Sequence, residues 1–88
     1  MHYADLTIVH IRGARALLGW SQPDLSEAAE IGLSTIKRLE KAPGSLEKAD
    51  TSTKRAIYDA FARAGVAFVG EGEPGVRLMS EPQPLSGG

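Results

Sequence analysis

Three basic residues, Lys37, Arg38 and Lys41, lie in the short segment "LSTIKRLEK" at 33–41, which contains a single acid, Glu40. An arginine fork can donate two parallel hydrogen bonds to guanine O6 and N7, and a lysine ammonium can bind phosphate as a point charge. At helical spacing these three cations point away from the apolar positions of the segment. They therefore form either an anion-binding surface or only a solvated helix face.

The overall charge argues mildly against a nucleic-acid partner. The 88 residues include 10 Lys and Arg against 11 Asp and Glu, a formal net charge of −1. Affinity for phosphate depends on where the cations lie more than on their sum, so local placement decides. The chain has no cysteine, which excludes disulfides and thiolate metal sites. His2 and His10 are too sparse for a metal site, and we expect both on the surface.

Capping residues divide the first half of the chain into short helices. Thr7 is a suitable N-cap for a first helix that ends at Gly19. Ser21 and Asp24 form a pattern similar to a capping box, which opens a second helix that ends near Glu30. The short distance between these signals predicts two helices in close succession.

Two further helices follow. The third begins at Gly32 or Leu33 and ends at "APGS", 42–45, where Pro and Gly interrupt the pattern. The fourth runs over about 51–64 and ends at Gly65. Their predicted inward residues are Ile36 and Leu39 in the third helix, and Ala56, Ile57, Ala60, Phe61 and Ala64 in the fourth.

The pattern then changes to that of strands. "VAFV" at 66–69 and "VRLM" at 76–79 are short, apolar and β-branched, and "GEGEPG" at 70–75 is rich in turn formers. This predicts a β-hairpin, which either packs on the helices or joins a second copy of itself through an open edge. The remaining residues, 80–88, have little to bury and are expected to be disordered.

The segment "ARALLGWSQPDLSEAAEIGLSTIKRLEK" resembles the lambda-repressor-like, Xre-type helix-turn-helix regulators. The matching features are "WSQ" at 20–22, Leu25, Ala29, Ile31 and "STIKRLE" at 34–40. Residues 60–79 also resemble the ending of many small bacterial members, in which the last helix runs into a strand pair. The resemblance covers about residues 7–79. It implies that the third helix enters the DNA major groove while the second crosses the backbone.

The resemblance also implies roles for individual side chains. Backbone contacts are implied for Gln22 and Lys41, and contacts with base edges for Leu33, Ser34, Lys37 and Arg38. Structural alternatives stay open for several of these. Gln22 suits the first turn of a helix, Ser34 suits a helix start, and Lys41 can simply be solvated.

Arg15 and Glu40 correspond to an ion pair that, in the family, links the first helix to the end of the recognition helix. Two residues depart from the family pattern in the turn before that helix. Glu30 replaces a frequent Gly and must accept a backbone that can require positive φ. Gly32 replaces the usual Ser or Thr cap. Leu33, also unusual, either contacts a thymine methyl group or folds back onto the protein.

Together these features predict a mostly α fold, a four-helix lambda-repressor-like helix-turn-helix domain with a small C-terminal β-hairpin. The expected organisation is an N-terminal arm at 1–6, the DNA-binding domain at 7–64, the hairpin at 65–79 as a possible dimerisation element, and the tail at 80–88. No apolar run approaches the length of a membrane span, and the start of the chain does not resemble a secretory signal. We therefore expect a cytoplasmic location.

The expected function is sequence-specific binding of double-stranded DNA by a transcriptional regulator, a repressor acting by operator occupancy as a homodimer. No cofactor is implied, and no nucleophile–base set suggests an enzyme. The alternative is an antitoxin-type module whose C-terminal region captures a protein partner such as a toxin. The basic face favours the first function, and the hairpin and tail favour the second.

Overall fold

Four α-helices precede a pair of antiparallel strands in the computed structural model of this chain. It describes residues 2–42, 44, 46–69 and 75–78. The helices are α1 (Ile8–Leu18), α2 (Gln22–Ala29), α3 (Leu33–Lys41) and α4 (Thr51–Arg63), and the strands are β1 (Val66–Val69) and β2 (Gly75–Leu78). The predicted tail at 80–88 and most of the predicted connection at 70–75 lie outside the described residues.

The helix ends confirm the predicted capping residues. The Thr7 hydroxyl accepts the His10 amide at the start of α1, and Gly19 ends the helix in the left-handed region with φ 68°. Ser21 and Asp24 form a reciprocal capping box at the start of α2. These ends could be predicted because each cap satisfies backbone groups only two or three residues away.

His10 is buried, with 2% of its surface exposed, so the prediction that it lies on the surface was wrong. Its Nδ1 atom accepts the Thr7 amide at 3.0 Å, which completes a capping box in which an imidazole replaces the usual Glu. The outer part of the ring packs edge-on against Phe68, with the ring centroids 5.5 Å apart. A residue from β1 therefore contributes to the burial of His10. His2 is exposed, as expected.

The strand pair packs against the helices. Val66 lies opposite Leu78 and Phe68 opposite Val76, so these four side chains share one face of the sheet. Val66 and Phe68 are buried on that face, and β1 contacts α4 while β2 contacts α1. Of the two arrangements left open by the sequence, packing on the helices is therefore present.

The core joins α1, α2, α3, α4 and β1 with two residues from outside these elements, Leu6 and Leu46. Leu6 follows a short 3₁₀ turn, Tyr3–Asp5, which contacts α4. The buried apolar residues are Leu6, Ile11, Ala14, Leu25, Ala29, Ile36, Leu39, Leu46, Ile57, Ala60, Phe61, Val66 and Phe68. In the part of the chain that the structure describes, none of the helices has both the length and the apolar character needed to cross a membrane.

Candidate functional site

α2 and α3 are joined by only three residues, Glu30 to Gly32. Glu30 adopts the left-handed conformation with φ 57° and ψ 43°, so the positive φ anticipated at this departure is present. The Ile31 amide donates to the Ser26 carbonyl at 3.0 Å, which is the 6→1 bond of a Schellman ending. The Ser26 hydroxyl in turn donates to the Ile31 carbonyl. These two bonds lock the turn although it lacks the usual Gly.

The start of α3 has a weaker cap. Gly32 occupies the N-cap with φ −55° and ψ 140°, and it offers no side-chain acceptor. Its carbonyl accepts the amides of Thr35 and Ile36 at 3.0 and 3.2 Å, so the first turn is closed by the backbone alone. The helix therefore begins at Leu33, within the range predicted from the sequence.

One face of α3 is exposed and basic. Ser34, Lys37, Arg38 and Lys41 are all exposed and lie at positions i, i+3, i+4 and i+7, which form one stripe along a helix. Leu33 is half-buried at the edge of this stripe. The structure thus presents four of the six predicted DNA-contacting residues on a single surface, which we call the α3 basic face.

The opposite face of α3 is buried. It carries Ile36, Leu39 and Glu40, of which Glu40 is the only acid in the helix. Because Glu40 points into the protein, the exposed surface of α3 displays three cations and no carboxylate. Burial of this one side chain therefore removes the single negative charge from the surface that the helix shows to a partner.

Glu40 is held by two arginines of α1. Arg15 donates from Nε and Nη2 to the two carboxylate oxygens at 2.9 and 2.6 Å, a bidentate pair. Its Nη1 also donates to the Trp20 carbonyl at 3.1 Å. The two residues predicted as an ion pair are thus in direct contact. Arg12 donates from Nη2 to the backbone carbonyl of Glu40 at 2.6 Å, a contact that the sequence reasoning missed.

The signal that could have revealed Arg12 is its spacing from Arg15. Residues three apart on a helix are neighbours on its surface, so one partner on another helix can meet both. The spacing alone does not predict that Arg12 and Arg15 share a partner on another helix, because a basic pair on an amphipathic helix is usually solvated.

Gln22 is separate from the α3 basic face in sequence, at the first position of α2, where it is half-buried. The neighbouring Trp20 stacks on Phe61 of α4 with ring centroids 5.6 Å apart. This stacking fixes the start of α2 against the core. Gln22 is therefore held in a fixed position relative to the core, which suits the contact with the DNA backbone that the resemblance implies.

A shallow groove borders the α3 basic face on the side of α4. Arg38 and Thr35 line it from α3, and Lys48, Asp50 and Thr53 line it from the start of α4 and the residues before it. Its charges are mixed, which suits neither a purely anionic nor a purely cationic small ligand. Over residues 2–42, 44, 46–69 and 75–78, no three His, Asp or Glu side chains gather in a way that could hold a metal ion.

Within this geometry, α3 offers an exposed cationic stripe whose orientation is set at both ends. The Schellman turn holds its start, and two arginines hold its end. A rigid helix with this charge pattern can bind an extended anionic surface. Neither protein-family models nor curated proteins give a match to this chain.

Proposed function

We propose that this protein binds double-stranded DNA with sequence specificity through α3 and represses transcription by occupying an operator. The observation that carries the proposal is the α3 basic face, with Ser34, Lys37, Arg38 and Lys41 on one stripe and the only acid of the helix turned inward. The resemblance of residues 14–41 to lambda-repressor-like regulators supports the same function.

The dimensions of α3 suit the major groove. Its nine residues make a helix about 14 Å long. The groove is about 12 Å wide, enough for one helix. In helix-turn-helix proteins the first residues of the recognition helix reach base edges, and here those are the half-buried Leu33 and the exposed Ser34. Arg38, one turn further along, carries the fork that recognises guanine.

The net charge of −1 is compatible with this function because the charges are separated along the chain. The exposed charges of α3 are all positive, and the exposed acids of α2 and its ending are Asp24, Glu27 and Glu30. Glu47 and Asp50 are also exposed and line the groove beside Arg38, together with Lys48. Salt screens each charge beyond roughly 10 Å, so the field at the α3 basic face is set by its three cations and the nearby groove residues rather than by the net charge of the chain.

A two-fold dimer is part of the proposal. A two-stranded sheet leaves an open edge on each strand, and such edges can pair with another chain. Among the described residues, the large apolar side chains classed as exposed are Val9 and Leu17 of α1, the helix that β2 contacts. We propose that burial of these features against a second copy forms the dimer; helix-turn-helix dimers bind paired half-sites about 34–36 Å apart.

The decisive experiment is selection of bound sequences from a pool of random duplexes. We expect a recurrent motif with two-fold symmetry, because a symmetric dimer reads two equivalent half-sites. Affinity for that motif should fall with salt at a log–log slope of about −0.9 per contacted phosphate. A pool with no enriched sequence, or binding independent of salt, would contradict the proposal.

A matched pair of variants connects that binding to α3. Lys37→Ala with Arg38→Ala should abolish binding to the selected motif while the helical circular dichroism is retained, because both side chains are exposed. The control is Arg55→Ala with Arg63→Ala, which removes the same charge from α4. Those two arginines contact Asp59, Tyr3 and Ala28, and none of these residues is on α3. The control should retain most of the affinity.

A further inference from the structure

Arg12 contacts α3 in a way that differs from Arg15. Its Nη2 donates to the Glu40 backbone carbonyl at 2.6 Å, while its Nε is 3.9 Å from the nearer carboxylate oxygen. Arg15, in contrast, donates only to the carboxylate of Glu40 and to the Trp20 carbonyl. The backbone and the side chain of one residue are thus held separately by two arginines on one face of α1.

The Glu40 carbonyl is a group that benefits from an external donor. It lies in the last turn of α3, where helix carbonyls lack partners within the helix. The same end carries the negative pole of the helix dipole, which a guanidinium complements. The Arg12 contact therefore acts as a C-terminal cap supplied by a different helix.

A backbone anchor restrains α3 differently from a side-chain anchor. The Arg15–Glu40 pair permits some movement of the helix, because the glutamate side chain can follow through its own torsions. A bond to the peptide carbonyl has no flexible side chain on the α3 side, so only the torsions of the Arg12 side chain lie between α1 and the last turn of α3. The last turn carries Arg38 and Lys41, whose placement in the groove depends on it.

The two arginines also differ in exposure. The side chain of Arg12 is 60% exposed, whereas that of Arg15 is 20% exposed. Loss of Arg15 leaves a buried carboxylate without its main partner, whereas loss of Arg12 leaves that carboxylate still paired with Arg15. The effect of Arg12 on α3 can therefore be measured in a chain that stays folded.

We propose that Arg12 is a positioning residue, which holds the last turn of α3 against α1 and thereby sharpens discrimination between DNA sequences. This inference rests on the proposed function. It differs from a phosphate contact by the same guanidinium, because a phosphate contact would strengthen binding to every duplex equally and would contribute to the salt dependence.

The test compares Arg12→Ala and Arg12→Lys with the wild-type chain. The control is Arg55→Ala, an arginine of similar exposure at 66% on α4. Affinity is measured for the selected duplex and for an unrelated duplex over a range of salt concentrations. Hydrogen exchange of the amides at 38–42 is measured in the absence of DNA. It reports how firmly the last turn of α3 is held, independently of DNA affinity.

We expect Arg12→Ala to weaken binding to the selected duplex about three- to tenfold, because DNA must then order a last turn that the protein no longer holds, and one intramolecular hydrogen bond contributes a free energy of that size. Binding to the unrelated duplex and the salt slope should stay at their wild-type values. Exchange at 38–42 should accelerate, and Arg12→Lys should recover most of the loss because it keeps a charged donor. Arg55→Ala should change none of these quantities.

Two results would overturn the role assigned to Arg12 but would leave the proposed function unaffected. One is an equal loss on both duplexes with a salt slope smaller by about 0.9, which would make Arg12 a phosphate contact. The other is wild-type binding and wild-type exchange in Arg12→Ala, which would mean that Arg15 alone holds the end of α3. A wild-type chain that binds neither duplex would overturn the proposed function, and the assignment with it.

Discussion

Arg15 of α1 and Glu40 of α3 form a bidentate ion pair with donor–acceptor distances of 2.9 and 2.6 Å, and the carboxylate side chain is only 4% exposed. The pair turns the one acid of α3 away from solvent. It therefore has two consequences, a fixed approach of α1 to α3 and an uninterrupted basic surface on the other side of α3.

Removal of one member of this pair should be more harmful than removal of both. Arg15→Met leaves a buried carboxylate without its main partner, and we expect a loss of about 3 kcal/mol in the free energy of unfolding. Arg15→Met combined with Glu40→Met should be more stable than either single variant, because no buried charge remains. Urea unfolding of the three variants measures this coupling. Losses that simply add would contradict it.

Glu30 is the one non-glycine residue with positive φ among the residues that the structure describes. The left-handed region costs an L-residue about 1–2 kcal/mol, and glycine avoids this cost at some expense in unfolded-state entropy. Glu30→Gly should therefore raise the free energy of unfolding by about 0.5–1 kcal/mol.

Glu30→Ala is the control for that variant, since it removes the same charge but keeps a Cβ atom. It should remain less stable than Glu30→Gly. Equal stabilities in thermal unfolding would mean that strain at this turn is no larger than the unfolded-state entropy that glycine costs.

Gly13 of α1 lies against Val76 of β2, and a Cβ atom at Gly13 would be 2.8 Å from a methyl carbon of Val76. Gly13→Ala gains about 1 kcal/mol of helix propensity, but overpacking against a stiff valine costs about 1–3 kcal/mol. We expect a net loss of up to about 2 kcal/mol in the free energy of unfolding.

The same substitution in a Val76→Ala background should be neutral or stabilising, because the opposing methyl groups are gone. Chemical denaturation of the four chains gives the coupling energy directly. If Gly13→Ala stabilises the wild-type chain, the close approach of β2 to α1 is not present in solution.

Arg38 and Lys41 should affect DNA binding in different ways. Arg38→Ala should cost about 1–3 kcal/mol on the selected motif and relax the preference at one base pair, because a guanidinium fork discriminates guanine. Lys41→Ala should weaken binding to all duplexes similarly and reduce the salt slope by about 0.9. Titrations on single-substituted duplexes at several salt concentrations separate the two effects. A uniform loss in both variants would mean that α3 contacts only phosphates.

The helix ends could be predicted from the sequence because caps act locally. Thr7 and Ser21 accept hydrogen bonds from amides within three residues, and Gly19 adopts the left-handed conformation directly after α1 without steric cost. The short, apolar and β-branched run "VAFV" likewise predicted β1 over 66–69. The exposed stripe of α3 followed from helical spacing in the same way.

The contacts that orient α3 could not be predicted so directly. The bond from Arg12 to the Glu40 carbonyl joins residues 28 positions apart, and nothing in the spacing of Arg12 names a carbonyl as its partner. From the sequence alone, Glu40 would be interpreted as a solvated charge. Only the fold brings Arg15 into contact with it. The Arg15–Glu40 pair was anticipated only through a family resemblance, and its geometry comes from the packing of α1 on α3.

His10 shows the same limit at a different place. Its position near the helix start was clear from the sequence, but its burial includes an edge-on contact with Phe68 of β1, 58 residues further along the chain. Capping, helical stripes and short β-branched runs depend on neighbours in the chain, so the amino-acid order is sufficient to define them. Burial, ion pairing and the orientation of α3 depend on distant segments meeting at a few ångströms, so they became defined only when α1, α3 and the strand pair packed together.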